Sequence, residues 1–301
     1  MAMTQLPFTT QAEYERAWIA AMAPKTGDIQ RELTAEAAEC LRISVAEAER
    51  RVVACTTDFL AEWDRLVSDP KDPEQVVRFY NESKSELFEQ IAWHSKDVIH
   101  HRSLVCSELV RDKAGGEFLD YGSGIGSNAL VFGLAGFKVT LADVADPLRN
   151  FARWRCEHRG LRVHTVDLKH ESLDRERYDV ITCFDVLEHV PDPLQALKRM
   201  RDALRPDGVL FVYAPFGHDP ERPMHIVHHD TALRRIRSLG FRREYQWDRA
   251  FPAHLERPPE AYWRVTRTAP ANLAYYIRDV WMKGQIGEAV ARSLARRRPS
   301  A

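Results

Sequence analysis

Apolar side chains in the first part of the chain recur at helical spacing. Tyr14, Trp18 and Met22 step by four, and Leu41, Val45, Ala48, Val52, Cys55, Phe59, Trp63 and Leu66 step by threes and fours. Residues before about 115 are therefore expected to be helical, with those stripes buried. Ser44-Val45-Ala46-Glu47 has the form of a capping box, so a helix should restart at Ser44, and Asp72-Pro73 should open another after the break at Pro70. Beyond Glu117 the period changes. Phe118 to Asp120, Lys138 to Asp143, Arg162 to Val166 and Tyr178 to Phe184 are short apolar or alternating runs, separated by helix-length segments. That alternation predicts a parallel sheet. The strands end at Asp120, Asp143, Asp167 and Asp185, so an acid recurs at each carboxyl end.

The first of these ends carries the most specific signal. Asp120-Tyr121-Gly122-Ser123-Gly124-Ile125-Gly126 reads as strand, tight turn and helix, with glycines that let the backbone turn sharply and approach a ligand. A dinucleotide fingerprint is G-x-G-x-x-G; here the third glycine comes one residue early, and a carboxylate stands beside the loop, where it repels phosphate. A cation-bearing nucleoside fits better, and S-adenosylmethionine carries both an ammonium and a sulfonium. Asp143 lies about where a carboxylate meets ribose hydroxyls. In an open parallel sheet all four acids converge on one crevice. A single strand-end Asp is more often the cap of the next helix; four in register argue for a ligand.

With these motifs in hand, the chain resembles the class I S-adenosylmethionine-dependent methyltransferases, from about Phe118 to Thr268. Phe118 to Gly126 is similar to the family's first motif, Phe184-Asp185-Val186-Leu187-Glu188-His189-Val190 to the segment after strand four, and Leu204-Arg205-Pro206-Asp207-Gly208-Val209-Leu210 to the turn before strand five. Ser127-Asn128 after the last glycine changes nothing obvious. The resemblance implies an α/β, Rossmann-like, seven-stranded, mostly parallel sheet. Its last two strands are expected through Tyr245 to Trp247 and from Ala261 to Thr268. It further implies that Asp120 with Gly122, Gly124 and Gly126 holds the methionine moiety, and that Asp143 with Val144 holds the ribose. Asp167 would take the adenine amino group, with Leu168 packing on the ring. Phe184 and Asp185 would flank the sulfonium, and His189 would orient the cofactor loop. The expected organisation is a helical cap and substrate region over 1–114, a cofactor-binding domain over 115–269, and a C-terminal helix and tail over 270–301. Tyr80, Trp93 and Phe216 are the candidates for substrate contact.

Composition narrows the class of protein. The 301 residues carry a formal net charge of −1, which gives no global pull toward nucleic acid or anionic membrane. The arginines from Arg234 to Arg243 read as a solvated face. Cys40, Cys55, Cys106, Cys156 and Cys183 form no C-x-x-C pair, so reduced thiols and a cytoplasmic location are expected. No apolar run reaches the length of a membrane span. The helix from Asn272 to Arg297, with Tyr275, Tyr276 and Trp281, offers a packing face and a possible homodimer surface.

After strand five, His218, His225, His228 and His229 fall in one loop at the presumed ligand edge. Each is either a satisfied loop histidine or a general base for a hydroxyl or amine nucleophile. No metal site is expected, because His225-x-x-His228-His229 matches no tight zinc spacing. The reading that follows is direct methyl transfer from S-adenosylmethionine, leaving S-adenosylhomocysteine, to an oxygen or nitrogen of a small, aromatic or partly apolar molecule. A carbon nucleophile or a protein or RNA acceptor, a non-catalytic binder, and a dehydrogenase on the same sheet remain as alternatives. The early third glycine and Asp120 weigh against the dehydrogenase.

Overall fold

A computed structural model describes residues 10–95, 102–216, 222–226, 236–244 and 259–264. Among the described residues six helices lead: α1 Gln11–Met22, α2 Ile29–Leu41, α3 Val45–Leu66, α4 Pro73–Glu82, α5 Glu86–Ser95 and α6 Arg102–Leu109. Local chemistry sets their starts. Asp72 caps α4 by accepting from the backbone N–H groups of Glu74 and Gln75, with Pro73 in the first turn. Ser44 accepts from Glu47 N at 3.1 Å, but the Glu47 carboxylate turns to Arg50 and Arg51, so only half of the expected box forms. The complete box is at α1, where Thr10 and Glu13 cap each other. Ala48, Val52, Cys55, Phe59, Trp63 and Leu66 are buried as their spacing requires. Leu41 and Val45 instead stand exposed, because α2 ends at Leu41 and α3 begins at Val45, which interrupts the stripe.

The sheet follows as β1 Glu117–Tyr121, β2 Lys138–Asp143, β3 Val163–Asp167, β4 Tyr178–Phe184, β5 Leu204–Tyr213, β6 Phe241–Arg243 and β7 Glu260–Arg264, in the order β3-β2-β1-β4-β5-β7-β6. Strands β1 to β5 pair in parallel and β7 pairs antiparallel with both β5 and β6. The seven-stranded, mostly parallel α/β sheet is thus as expected, with β2 and β4 at the predicted bounds. The described part of β6 precedes the predicted Tyr245 to Trp247, which lies outside the described residues, as do 265–268 and the predicted C-terminal helix. The crossover helices are α7 Ser127–Leu134, α8 Asp146–His158 and α9 Pro193–Ala203. Strand order reverses between β1 and β4, and in open parallel sheets a ligand crevice opens outside the carboxyl ends at that point.

Two apolar layers enclose the sheet. One joins Phe118, Phe132 and Phe211 to Tyr14, Trp18 and Met22 of α1, so the leading helix shares a core with the sheet. The opposite layer packs Leu197 and Met200 of α9 on Leu119, Ile181 and Leu210. A third cluster sets Phe88 and Ile91 of α5 against Ile125, Leu148 and Phe151. All five cysteines are free thiols. Among the described residues, no helix is long and apolar enough to cross a membrane.

Arg155 of α8, fully buried, locks these layers together. Its Nε donates to Glu36 Oε2 of α2 at 3.0 Å, its Nη1 to the Ile125 carbonyl at 3.0 Å and to Ser127 Oγ at 3.2 Å, and its Nη2 to Met22 Sδ at 3.4 Å. One turn on, Arg159 donates to Glu36 Oε1 at 2.7 Å and to the Ala21 and Met22 carbonyls. A buried guanidinium deprived of its carboxylate is costly. Glu36→Ala should therefore lose about 3 kcal/mol of stability in urea unfolding, whereas a loss below about 1 kcal/mol would mean that this ion pair does not hold the helices to the sheet.

Candidate functional site

The glycine loop leaves β1 under tight steric control. Gly122 and Gly124 have φ of 74° and 49°, in the left-handed region, and a Cβ at either would stand 2.3 Å from Val186 Cγ2 or Gln90 Oε1. The loop is held from both sides. Gly122 N and Ser123 N donate to the Ala142 carbonyl at 2.8 and 3.1 Å, and Gly124 N donates to Asp143 Oδ2 at 2.9 Å. From α5, Gln90 Oε1 accepts from Ile125 N at 3.2 Å. The helical layer thus touches the loop directly.

Asp120 is fully buried. Its Oδ1 accepts from Thr182 Oγ1 at 2.9 Å and from Asn128 Nδ2 at 3.1 Å, while its Oδ2 has no hydrogen-bond partner. Burial pushes its carboxyl up to about 7. Asn128, set aside in the sequence, is therefore the residue that fixes Asp120, and Ser103 donates to it in turn. Asp143 is buried, and its Oδ1 accepts from Ala145 N at 2.9 Å. It thus performs the local turn role that a strand-end Asp can have, and burial raises its carboxyl as well. Asp167 stands opposite Asp143 in the β2–β3 register, flanked by Arg149 at 3.4 Å and Lys169 at 3.3 Å. The Val144 carbonyl accepts from Asn81 Nδ2 of α4 at 3.0 Å and from Lys169 Nζ at 2.8 Å. Leu168 is buried beside them, its N–H donating to the Asp143 carbonyl.

At the end of β4, Phe184 is buried and Asp185 takes φ of 54°, a conformation that aspartate tolerates better than most residues. Arg102 of α6 pairs with Asp185 Oδ2 at 3.3 Å and lies 3.6 Å from the centroid of the Tyr213 ring. Glu188 follows, fully buried, with neither carboxylate oxygen hydrogen-bonded, and burial together with the Asp185 charge raises its carboxyl far above the usual range. His189 is half-buried, and burial and then the neighbouring His225 push it down to about 3, so its ring is neutral near pH 7. The His225 and His189 rings meet edge to face at 4.9 Å, and Tyr80 approaches His189 at 6.4 Å. Trp93 carries the Arg222 guanidinium at 4.3 Å, and half-buried Phe216 packs on the α9 side of the core. His218, His228 and His229 lie outside the described residues.

Sequence reading missed Glu86. This buried α5 carboxyl accepts from Gln90 Nε2 at 2.8 Å and is pushed up to about 7 by burial, with the Asp143 charge adding to the rise. The Tyr80 hydroxyl feels Glu86, Glu188 and Asp143 together. The arrangement is a glycine loop surrounded by buried, under-compensated carboxylates contributed from both sheet and helical layer. It repels anions and is suited to a ligand bearing positive charge.

Comparison with known proteins agrees with this geometry. A family model described as a methyltransferase domain matches residues 96–263. The ubiquinone biosynthesis O-methyltransferase of Haemophilus ducreyi is 35% identical over 152 residues, 44% of this chain and 64% of that protein. The Histophilus somni protein of the same name is 30% identical over 155 residues, 46% of this chain and 62% of its own. The chain thus spans less than two thirds of those relatives. Among solved structures, an S-adenosylmethionine-dependent methyltransferase from Mesorhizobium loti is similar at TM-score 0.39 and 19% identity, covering 50% of this chain and 90% of that one. With the family model covering more than half of its length and the strand order and glycine loop in place, the chain belongs to the methyltransferase-domain family.

Proposed function

We propose that the protein is an S-adenosylmethionine-dependent O-methyltransferase acting on a small, aromatic or partly apolar molecule. The observation that carries this reading is the set of buried carboxylates around the glycine loop, since such a site favours a sulfonium and ammonium over a phosphate. The residues fit that cofactor. Among the described residues Asp120 Oδ2 is an orphaned buried acceptor, and the space a Cβ would need at Gly122 and Gly124 is already taken by Val186 and Gln90, so neither position admits a side chain and the loop keeps its glycine backbone. Gly122, Gly124 and Gly126 with Asp120 would hold the methionine end, Asp143 and Val144 the ribose, Asp167 and Leu168 the adenine, and Phe184, Asp185 and His189 the region of the sulfur. When bound, the cofactor supplies a methyl group already activated by positive sulfur. The chain's part is to position the acceptor and exclude water, which is worth several kcal/mol. Tyr80, Trp93 and Phe216 supply apolar walls for an acceptor ring, and the corner of Glu188, His189 and His225 handles the proton of its hydroxyl. The O-methyltransferase names of the relatives support oxygen as the nucleophile.

Two measurements follow. Incubation with S-adenosylmethionine and a panel of phenols and catechols should yield S-adenosylhomocysteine and a product heavier by one methyl group. Asp143→Ala should bind S-adenosylhomocysteine about 1.5 to 3 kcal/mol more weakly by calorimetry, with a melting curve to confirm that the loop it braces remains folded. Wild-type protein that binds NADH and ignores S-adenosylhomocysteine would overturn the assignment, and methylated amines in place of ethers would move the acceptor to nitrogen.

A third measurement concerns Glu86. With its folded-state carboxyl at about 7 against the ordinary 4.5, the folded state binds more protons than the unfolded one between those values, so stability falls as pH rises through that window. Glu86→Gln keeps an acceptor for Gln90 without the charge. In the ligand-free protein it should be more stable than the parent by about 2 to 3 kcal/mol at about pH 8, with the gap closing toward about pH 4.5. A gap independent of pH, or of opposite sign, would contradict the burial of an under-compensated charge.

A further inference from the structure

One carboxylate and two imidazoles meet in the corner after β4. Glu188 and His189 are adjacent in a single 3-10 turn, Leu187–His189, and His225 arrives from the distant 222–226 segment. One oxygen or nitrogen from each lies within 4.8 Å of the others, and Glu188 Oε1 stands 4.0 Å from His189 Nε2. The approach is fixed by backbone. Ile226 N donates to the Glu188 carbonyl at 2.7 Å, so the residue after His225 is bonded to Glu188 itself. Met224 is buried among Phe59, Trp63 and Phe79 of α3 and α4, which presses the segment onto the turn.

The Glu188 carboxylate has no evident structural task. Among the described residues it is one of two acids at zero exposure, both of its oxygens lack a hydrogen-bond partner there, and Arg102 and Arg222 act on it only from a distance. A buried carboxylate without partners costs several kcal/mol unless a charge reaches it. A cation would supply the missing charge.

We propose that Glu188, His189 and His225 form a binding site for a divalent transition-metal ion of borderline softness, such as Zn2+. Two imidazoles and one carboxylate suit such an ion better than Mg2+ or Ca2+, which prefer all-oxygen shells. Metal–ligand bonds of about 2.1 Å set donors about 3 to 4 Å apart, so shifts of about 1 Å close the set. Three protein ligands also leave a position for an exogenous oxygen, the arrangement of catalytic rather than structural sites. The set differs from a cluster within the histidine-rich loop, since two of its members come from the strand-four turn. The site deepens the proposed function, since these are the residues assigned there to the acceptor's proton, but its test is separate because metal binding is read with neither cofactor nor acceptor present.

The test uses Co2+ as a spectroscopic probe on the full chain, freed of metal by chelation. Wild-type protein should bind one Co2+ with visible d–d absorption, and Zn2+ should displace it. Glu188→Gln and His225→Ala should each weaken binding by about a hundredfold or more, while His170→Ala, at an exposed histidine elsewhere, should leave it unchanged. Metal should raise the melting temperature of the wild type and not of Glu188→Gln. That isosteric variant introduces no charge into the buried corner and should stay folded, so it decides the matter even if His225→Ala does not fold. Absence of stoichiometric Co2+ uptake by the wild type, or uptake unchanged in Glu188→Gln, overturns the site.

Discussion

A guanidinium sealed between layers organises this protein. Arg155 has no contact with water, yet it bonds the carbonyl of Ile125 in the glycine loop, Ser127 at the start of α7, Met22 at the end of α1 and Glu36 in α2. A buried cation must be matched nearly donor by donor, so these four elements have one mutual arrangement in which Arg155 is satisfied. Burial pulls its pKa down to about 10, while the Glu36 charge resists that fall. The glycine loop owes its position to this side chain as much as to its own sequence. Local flexibility at Gly122 and Gly124 is thereby converted into a fixed cradle.

Closing the helical layer over the sheet buries charge of both signs, with unequal compensation. The cations Arg155 and Arg159 have Glu36 and Glu32. Glu86, Asp120 and Asp143 have hydrogen bonds and Glu188 has none, none of the four has a counter-ion comparable to Glu36 among the described residues, and each is raised by burial. Such an imbalance is unfavourable in the empty protein and is relieved by whatever positive group enters. Function and instability share a location here, as is common where a site is preorganised for a charged ligand.

Much of the scaffold was legible because it is written locally. The alternation of Lys138 to Asp143 and the apolar run of Tyr178 to Phe184 mark β2 and β4 to the residue, and Asp72-Pro73 marks the start of α4. Leu41 and Val45 fit the helical stripe but stand exposed, since a period in sequence cannot tell where a chain turns between helices. The site was legible only in part. Its glycines and strand-end acids sit on the recognisable turn, whereas Glu86, Gln90 and Asn81 reach it from helices with no distinguishing pattern. Arg155 and Glu36 are 119 positions apart, and nothing local marks either as half of a buried pair. Asn128 follows the glycine loop directly, yet its role appears only once Asp120 and Thr182 are seen beside it.

The central claim, that this crevice is a set of buried carboxylates awaiting positive charge, is tested most directly by counting protons on binding. Calorimetry of S-adenosylmethionine binding near pH 7, repeated in buffers of different ionisation enthalpy, gives the number exchanged. Carboxyls held at about 7 in the empty protein are about half protonated there, and an arriving cation lowers their affinity for protons. The account predicts net release of about half a proton or more per ligand bound, diminished in Glu86→Gln. Binding with no proton exchange, or with net uptake, would contradict it.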